Sequence, residues 1–154
     1  MYYSKEDLIE EDLAEIVWQL SSAAYSHGSP WSKEQFQVDI EQDTSRYLVM
    51  LKNKQLLGFI SYHLVLDEAE FTHVVTHYEY QQQGLGSQLL DQVIQELSQK
   101  GVTKVFLEVR IANLGARHLY RKKGFKEINL RKNYYHHPVE DGIVMCLEIK
   151  EVSQ

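Results

Sequence analysis

Residues 71–97, FTHVVTHYEYQQQGLGSQLLDQVIQEL, carry the strongest structural signal in this sequence of 154 residues. Residues 71–76 are rich in β-branched side chains, which favours a strand. Gly84 and Gly86 follow, and apolar residues then recur at helical spacing over 85–97. The stretch therefore predicts a strand, a glycine turn and a helix. Such a turn lets the main chain approach a ligand closely, and the first helical turn offers unpaired N–H groups to an anion.

The flanking sequence extends this unit into a mixed α/β fold. A strand at 102–110 follows the helix, and the short joints favour a right-handed βαβ crossover. Strands at 47–51 and 56–66 are expected to pair as an antiparallel hairpin. The other predicted elements are a helix from residue 8, a helix capped by Ser32 and Gln35, a helix at 113–123, and strands at 125–130 and 143–149. A strand before these is expected to be short or absent, so we predict a mixed α/β sandwich rather than a doubly wound sheet.

Length and composition narrow the class of protein. A chain of 154 residues and 18.1 kDa predicts one domain over 1–154. One cysteine, Cys146, excludes an intrachain disulfide and favours a reducing, cytoplasmic setting. The acidic start of the chain does not resemble a secretory signal, and no apolar run is long enough to span a membrane. We therefore expect no membrane association.

Charge is distributed unevenly between the two halves of the chain. The net charge is −6, but residues 1–70 hold 5 basic and 13 acidic side chains, and residues 71–154 hold 11 and 9. A nucleic-acid-binding protein would show a basic excess, so we expect no nucleic-acid partner. Either the asymmetry has no functional meaning, or it reflects an anionic ligand in the second half and a cationic partner near the first.

Two common phosphate-binding motifs are absent from the glycine turn. No lysine follows Gly86, as a P-loop requires, and Leu89 stands where a dinucleotide-binding fingerprint needs its third glycine. From the glycines alone, a turn that merely joins the strand to the helix remains an alternative.

Two blocks of sequence carry a more specific resemblance. Gln81, Gly84 and Gly86 stand at the defining positions of a Q/R-x-x-G-x-G/A signature, and a second block reads Asn113-x-x-Ala116-x-x-Leu119-Tyr120-x-x-x-Gly124-Phe125. Together they resemble the GNAT superfamily of acetyl-CoA-dependent N-acetyltransferases. The resemblance implies the GNAT fold, with a βαβ core that binds acetyl-CoA as co-substrate.

Further blocks, spanning about residues 30 to 150, resemble the RimI-type ribosomal-protein-alanine N-acetyltransferases. These blocks are Pro30-Trp31-Ser32, Asp67-Glu68-Ala69, Tyr80-Gln81, Leu107-Glu108-Val109-Arg110 and Asn133-Tyr134-Tyr135. The resemblance implies direct transfer of acetyl to the N-terminal α-amine of a basic ribosomal protein. Two alternatives stay open: a GNAT enzyme acting on a small amine such as a polyamine or an antibiotic, and a CoA-binding module without catalysis.

The resemblance also implies the cofactor-binding residues. The main chain of Val74, Val75 and Thr76 is expected to pair with the pantetheine arm, and Asn113 to contact the cofactor from the next helix. The pyrophosphate is expected to lie against Gln82, Gln83, Gly84, Leu85, Gly86 and Ser87. Gln82 and Gln83 occupy a stretch that commonly holds an arginine in this family, so main-chain contacts would carry more of the binding.

Two side chains are candidates for acid–base chemistry. An α-amine has a pKa of about 8 and must lose a proton before attack, which Glu108 could take directly or through water. Tyr120 could return a proton to the departing thiolate. The alternatives are a surface ion pair for Glu108 and aromatic packing for Tyr120.

Acceptor contacts are expected at Asp67, Glu68 and residues 133–135. His77-Tyr78 replaces the family's usual acidic-proline turn, which is expected to alter the rigidity of that loop. No His or Cys spacing indicates a metal site.

Overall fold

The computed structural model describes residues 1–25, 28–80 and 84–150. Within these ranges seven strands form one sheet, with four α-helices placed along the chain between them. The elements are β1 (Tyr2–Ser4), α1 (Leu13–Ala24), α2 (Lys33–Ile40), β2 (Ser45–Lys52), β3 (Gln55–Val65), β4 (Glu68–Thr76), α3 (Leu85–Gln99), β5 (Lys104–Arg110), α4 (Leu114–Lys122), β6 (Lys126–His136) and β7 (Val139–Glu148). The expected mixed α/β fold is confirmed.

The sheet has the strand order β1-β2-β3-β4-β5-β7-β6. The β4–β5 pair is parallel, and every other neighbouring pair in the described sheet is antiparallel. The hairpin of β2 and β3 and the strand–helix–strand unit of β4, α3 and β5 are therefore as predicted. This unit divides the sheet into a half that precedes α3 in sequence and a half that follows it.

Each face of the sheet has its own hydrophobic core. On one face α3 buries Leu89, Leu90, Val93 and Leu97 against the sheet. On the opposite face α1 and α2 bury a second cluster that includes Val17. Burial on both faces explains why β2 and β3 contain long apolar runs.

Local signals predicted the starts of α2, α3 and α4 to within one residue, but not the start of α1 or the end of β6. Ser32 and Gln35 form the predicted capping box at the start of α2. The first helix begins at Leu13, later than residue 8, because Asp12 caps it. β1 is present but only three residues long. β6 extends to His136, well beyond the predicted end at residue 130, and it is the exposed edge of the sheet.

Candidate active site

The two parallel strands at the centre of the sheet separate along their length. β4 and β5 are paired from Glu68 with Lys104 to Glu70 with Phe106, and there the pairing ends. β4 nevertheless continues for six more residues paired with β3, and β5 continues for four more paired with β7. A gap therefore opens in the middle of the sheet between the far ends of the two strands.

One edge of this gap is the main chain of β4. The N–H of His77 donates to the carbonyl of Leu57 at 2.7 Å. This bond establishes which residues of β4 direct their main-chain N–H and C=O groups toward β3. Residues two apart along a strand direct their main-chain groups to the same side. Val75 therefore pairs with β3, whereas Val74 and Thr76 direct their main-chain groups toward the gap. Of the three residues predicted to bind the pantetheine arm, two have the required orientation.

Helix α3 begins beside the end of β4. Gly84, the residue before the helix, has φ +82° and provides no side-chain cap. The N–H groups of Leu85, Gly86 and Ser87 therefore lie in the first helical turn, where no intrahelical acceptor is available. A Cβ on Gly86 would lie 3.4 Å from Leu119 and 3.8 Å from Thr76, which are ordinary contact distances, so the start of α3 lies beside α4 and β4. Gln82 and Gln83 lie outside the described residues.

Helix α4 supplies Asn113 and a set of basic side chains. Asn113 caps the helix, because its side-chain oxygen accepts from the N–H of Ala116 at 3.2 Å. The cap leaves the amide nitrogen of Asn113 as a donor for a contact with a cofactor. Glu127 Oε1 forms ion pairs with Nη2 of Arg117 at 2.8 Å and with Nη2 of Arg121 at 2.9 Å. Much of the positive charge on this helix is therefore paired with a carboxylate of the same protein.

Glu108 lies on β5 at the level where the gap has opened. Its neighbours Leu107 and Val109 are buried in the α3-side core, so strand alternation directs Glu108 to the opposite face. Its side chain is 22% exposed, and its Oε1 lies 3.5 Å from Nη1 of Arg131. A hydrogen bond to Glu108 also raises the pKa of Tyr134. Glu108 is thus a largely enclosed carboxylate at the border of the gap.

Tyr120 approaches the gap from the other face. Its ring packs in the α3-side core, 5.7 Å from the ring of Phe125. Burial raises the pKa of its hydroxyl, and the neighbouring hydroxyls of Tyr25 and Tyr135 raise it further. Tyr135 also interacts electrostatically with Glu108, and burial raises its pKa to about 12. Glu108 and Tyr120, both predicted from the sequence, are therefore brought to the same region together with two further phenols.

A bulge in β6 brings residues 131–135 to this region. Arg131 pairs with Gly142, and Tyr135 pairs with Glu140. The chain therefore advances four residues along β6 while it advances only two along β7. Asn133 has φ +52°, and its N–H donates to the carboxylate of Asp141 at 2.8 Å. A Cβ at Gly142 would lie 3.2 Å from the rings of Tyr134 and Tyr135, so this glycine leaves room for both. Of residues 133–135, predicted as acceptor contacts, Tyr134 and Tyr135 thus lie near Glu108.

The structure adds His73, which sequence reasoning left without a role. It lies on β4 and packs against Trp31 and Phe36, with ring centroids 4.5 and 4.9 Å away. Only 2% of the residue is exposed, and burial lowers the pKa of the imidazole to about 4. Its ring also lies 6.4 Å from that of Tyr25. Tyr25 is 36% exposed, and burial raises the pKa of its hydroxyl.

The hydrogen bonds around Ser61 favour one tautomer of His73. The Thr72 hydroxyl donates to the carbonyl of Ser61 at 3.1 Å, so in the 2.6 Å contact between the two hydroxyls Ser61 is the donor. Ser61 Oγ then accepts from Nδ1–H of His73 at 3.0 Å. The Nε2 atom therefore carries no proton, and among the described residues it has no hydrogen-bond partner.

An acidic groove of about 360 Å³ lies where β4 and β5 begin and are still paired with each other. Its lining includes Phe106, two residues before Glu108 on the same face, and three carboxylates from Asp67, Glu68 and Glu70. The predicted acceptor contacts Asp67 and Glu68 therefore border the groove. Across the described ranges, no group of three or more His, Cys, Asp or Glu side chains could hold a metal ion, and no helix is long and apolar enough to cross a membrane.

Comparison with known proteins identifies the family. Residues 11–125 match the family described as Acetyltransferase (GNAT) family, and the chain belongs to this family. Its members transfer acetyl from acetyl-CoA, and the gap, the glycine turn and Glu108 lie within the matched residues. The predicted GNAT fold and the enzyme class, an N-acetyltransferase, are confirmed.

Within this family, the chain is similar to ribosomal-protein-alanine N-acetyltransferases. It is 38% identical over 130 residues to the ribosomal protein bS18-alanine N-acetyltransferase of Escherichia coli (strain K12), covering 80% of this chain and 84% of that protein. The crystal structure of the ribosomal-protein-S18-alanine N-acetyltransferase from Escherichia coli superposes with a TM-score of 0.86 and 31% identity, covering 100% of this chain and 97% of that one. The predicted resemblance to RimI-type enzymes is confirmed.

A more distant neighbour was solved with the co-substrate. A GNAT family acetyltransferase from Elizabethkingia anophelis with acetyl-CoA bound has a TM-score of 0.71 and 22% identity, covering 86% of this chain and 90% of that one. At this identity the likeness shows a shared fold.

Proposed function

We propose that this enzyme transfers acetyl directly from acetyl-CoA to the N-terminal α-amine of a ribosomal protein that begins with alanine. The similarity to the bS18-alanine N-acetyltransferase of Escherichia coli supports this choice of acceptor. The observation that carries the proposal is the gap between β4 and β5, which is bordered by main-chain groups on one strand and by the Glu108 carboxylate on the other. Such a ribosomal acceptor and acetyl-CoA would meet in the cytoplasm.

The gap and the start of α3 fit the co-substrate. An extended, amide-rich arm can add to the open side of β4 as a peptide adds to a sheet edge, using main-chain groups at Val74 and Thr76. The uncapped start of α3 suits the pyrophosphate, because its N–H groups and the helix dipole favour an anion. We assign the pyrophosphate to residues 82–87 and a further contact to Asn113. When bound, acetyl-CoA supplies an acetyl group activated as a thioester.

Glu108 and Tyr120 then serve as base and acid. The acceptor arrives mostly as an ammonium, since an α-amine has a pKa of about 8. Glu108 accepts the proton and leaves a neutral nitrogen that can attack. Tyr120 keeps its proton at neutral pH, because its pKa is raised. It donates that proton to the thiolate as the carbon–sulfur bond breaks. The nitrogen loses its second proton to solvent as the amide forms, and solvent returns a proton to the Tyr120 hydroxyl.

Acceptor recognition is assigned to the acidic groove and to residues 133–135. Asp67, Glu68 and Glu70 surround the groove, and a basic ribosomal segment complements this charge. Complementary charge speeds encounter and weakens with added salt. Glu70, which lines the groove, also interacts electrostatically with Tyr134, whose hydroxyl bonds Glu108.

The test compares three amine acceptors with the purified enzyme and acetyl-CoA. The first is a basic peptide that begins with alanine and contains an internal lysine. The second is the same peptide with a blocked N-terminus, and the third is a polyamine. Mass spectrometry locates the acetyl group, and released thiol gives the rate. We expect a single acetyl group on the α-amine of the first peptide and none on the blocked control.

Other results would contradict the proposal in distinct ways. Preferential acetylation of the polyamine or of the lysine would indicate a different amine acceptor. Binding of CoA by calorimetry without acetylation of any amine would indicate a non-catalytic module. Absence of CoA binding would remove the cofactor site altogether.

A further inference from the structure

Two arginines lie on the Glu108 face of the β5–β7–β6 region, and their surroundings differ. Arg110 is held by three acceptors: Glu140 Oε1 at 3.1 Å, the Pro138 carbonyl at 3.0 Å and the His137 carbonyl at 3.2 Å. Its guanidinium also lies 4.3 Å from the centre of the Tyr135 ring. Arg110 is therefore fixed as part of the β6–β7 hairpin.

Arg131 is held far more loosely. Its side chain is 50% exposed, and the ion pair recorded for it is the 3.5 Å contact with Glu108. That distance exceeds those of the other ion pairs among the described residues, which lie at 3.2 Å or less. The guanidinium also lies 5.3 Å from the centre of the Tyr134 ring, a weak contact at an exposed site.

The acceptor and Arg131 present the same charge to the same carboxylate. An ammonium that is to give its proton to Glu108 must come within hydrogen-bond reach of it. A guanidinium that stays 3.5 Å from that carboxylate would repel the incoming ammonium. The weak contacts of Arg131 make its displacement inexpensive, whereas Arg110 would have to break three hydrogen bonds to move.

We propose that Arg131 occupies the place of the acceptor's ammonium at Glu108 when no acceptor is bound, and that the acceptor displaces it. This inference rests on the proposed function, since it takes Glu108 to be the base. Arg131 is thus a residue that sets acceptor affinity. It keeps the carboxylate paired between turnovers, and it makes each acceptor compete with an internal cation.

The experiment measures acceptor affinity and turnover separately in three variants. Arg131→Gln removes the internal cation, and Arg131→Lys retains it. Lys132→Gln is the matched control, because it removes one positive charge from the adjacent exposed residue of β6. For each protein, steady-state kinetics with the alanine-starting basic peptide give kcat and KM. Calorimetry with the same peptide and the CoA-bound enzyme gives a Kd that does not depend on catalysis.

For Arg131→Gln we expect KM and Kd for the peptide to fall together by about two- to fivefold, the range of a partly exposed ion pair, with kcat within about twofold of the parent. Arg131→Lys should restore the parent values, and Lys132→Gln should leave them unchanged. A rise in KM, an unchanged Kd, or a kcat loss of tenfold or more in Arg131→Gln would overturn the inference, as would an equal effect of Lys132→Gln.

Glu108→Gln separates this inference from the proposed function. If Glu108→Gln retains parental turnover, the proposed function fails because Glu108 is not the base. If Glu108→Gln abolishes turnover and Arg131→Gln leaves peptide affinity unchanged, the inference alone fails.

Discussion

Burial of His73 makes the stability of the protein depend on pH. The pKa of this imidazole falls from 6.5 to about 4 on folding, because burial penalises its charged form. Between these values the unfolded chain binds a proton that the folded protein does not bind, so the free energy of unfolding decreases as the pH falls. A difference of about 2.5 pKa units corresponds to about 3 kcal/mol, lost progressively from pH 6.5 down to pH 4.

His73→Asn isolates this contribution. The asparagine amide can take the place of Nδ1–H against Ser61, and it does not titrate in this range. Urea unfolding followed by tryptophan fluorescence at several pH values between 7.5 and 4.5 gives the free energy of unfolding of each protein. We expect the difference between parent and variant to shift by about 2 to 3 kcal/mol in favour of the variant between pH 7.5 and pH 4.5. The carboxylates titrate in both proteins, so their effects cancel.

His118→Asn provides the comparison, because His118 is exposed on α4. This variant should follow the parent to within about 0.5 kcal/mol at every pH. If His73→Asn also follows the parent across the whole range, then His73 is not held neutral by burial and the reasoning is refuted.

Three further substitutions test the site and the fold. Glu108→Gln should lower kcat about 10²- to 10⁴-fold at pH 7, and it should lower kcat less at pH 9, where the amine is already neutral. An equal loss at both pH values would contradict a base role. Glu148→Gln is the control, because it removes an exposed carboxylate. Tyr120→Phe should lower kcat about 10- to 100-fold with unchanged CoA affinity by calorimetry, and full activity would exclude it as the acid. Ser32→Ala should lower the free energy of unfolding by about 1 kcal/mol in urea, through loss of the capping box of α2, and an unchanged midpoint would show that the cap contributes nothing.

The features that sequence predicted well depend on a few adjacent residues. The cap at Ser32 and the helix start after Gly84 are determined within one turn of chain, so their signals are local. The orientation of Glu108 follows from strand alternation, since Leu107 and Val109 are buried on the opposite face. The roles assigned to the site residues stay predictions until the variants above are measured.

The features that sequence missed depend on distant parts of the chain. The second half of β6 gave no strand signal, because its residues are exposed on both faces and a bulge interrupts their alternation. The approach of Arg131 to Glu108 depends on that bulge and on β7, which lies between β5 and β6. His73 is buried by Trp31 and Phe36, which lie about 40 residues earlier, so its own neighbours in sequence gave no indication of its environment.

The two edge strands of the sheet differ in how they oppose pairing with a second copy of the protein. β1 forms one border and is three residues long, so it offers little main chain to a second copy. β6 forms the other border with eleven exposed or half-exposed residues, a length that could template strand addition. Lys126 and Lys132 lie on this strand, and charged lysines on an edge strand oppose its pairing with a second copy. We therefore expect that neutralising both lysines would favour aggregation through this edge strand at high protein concentration.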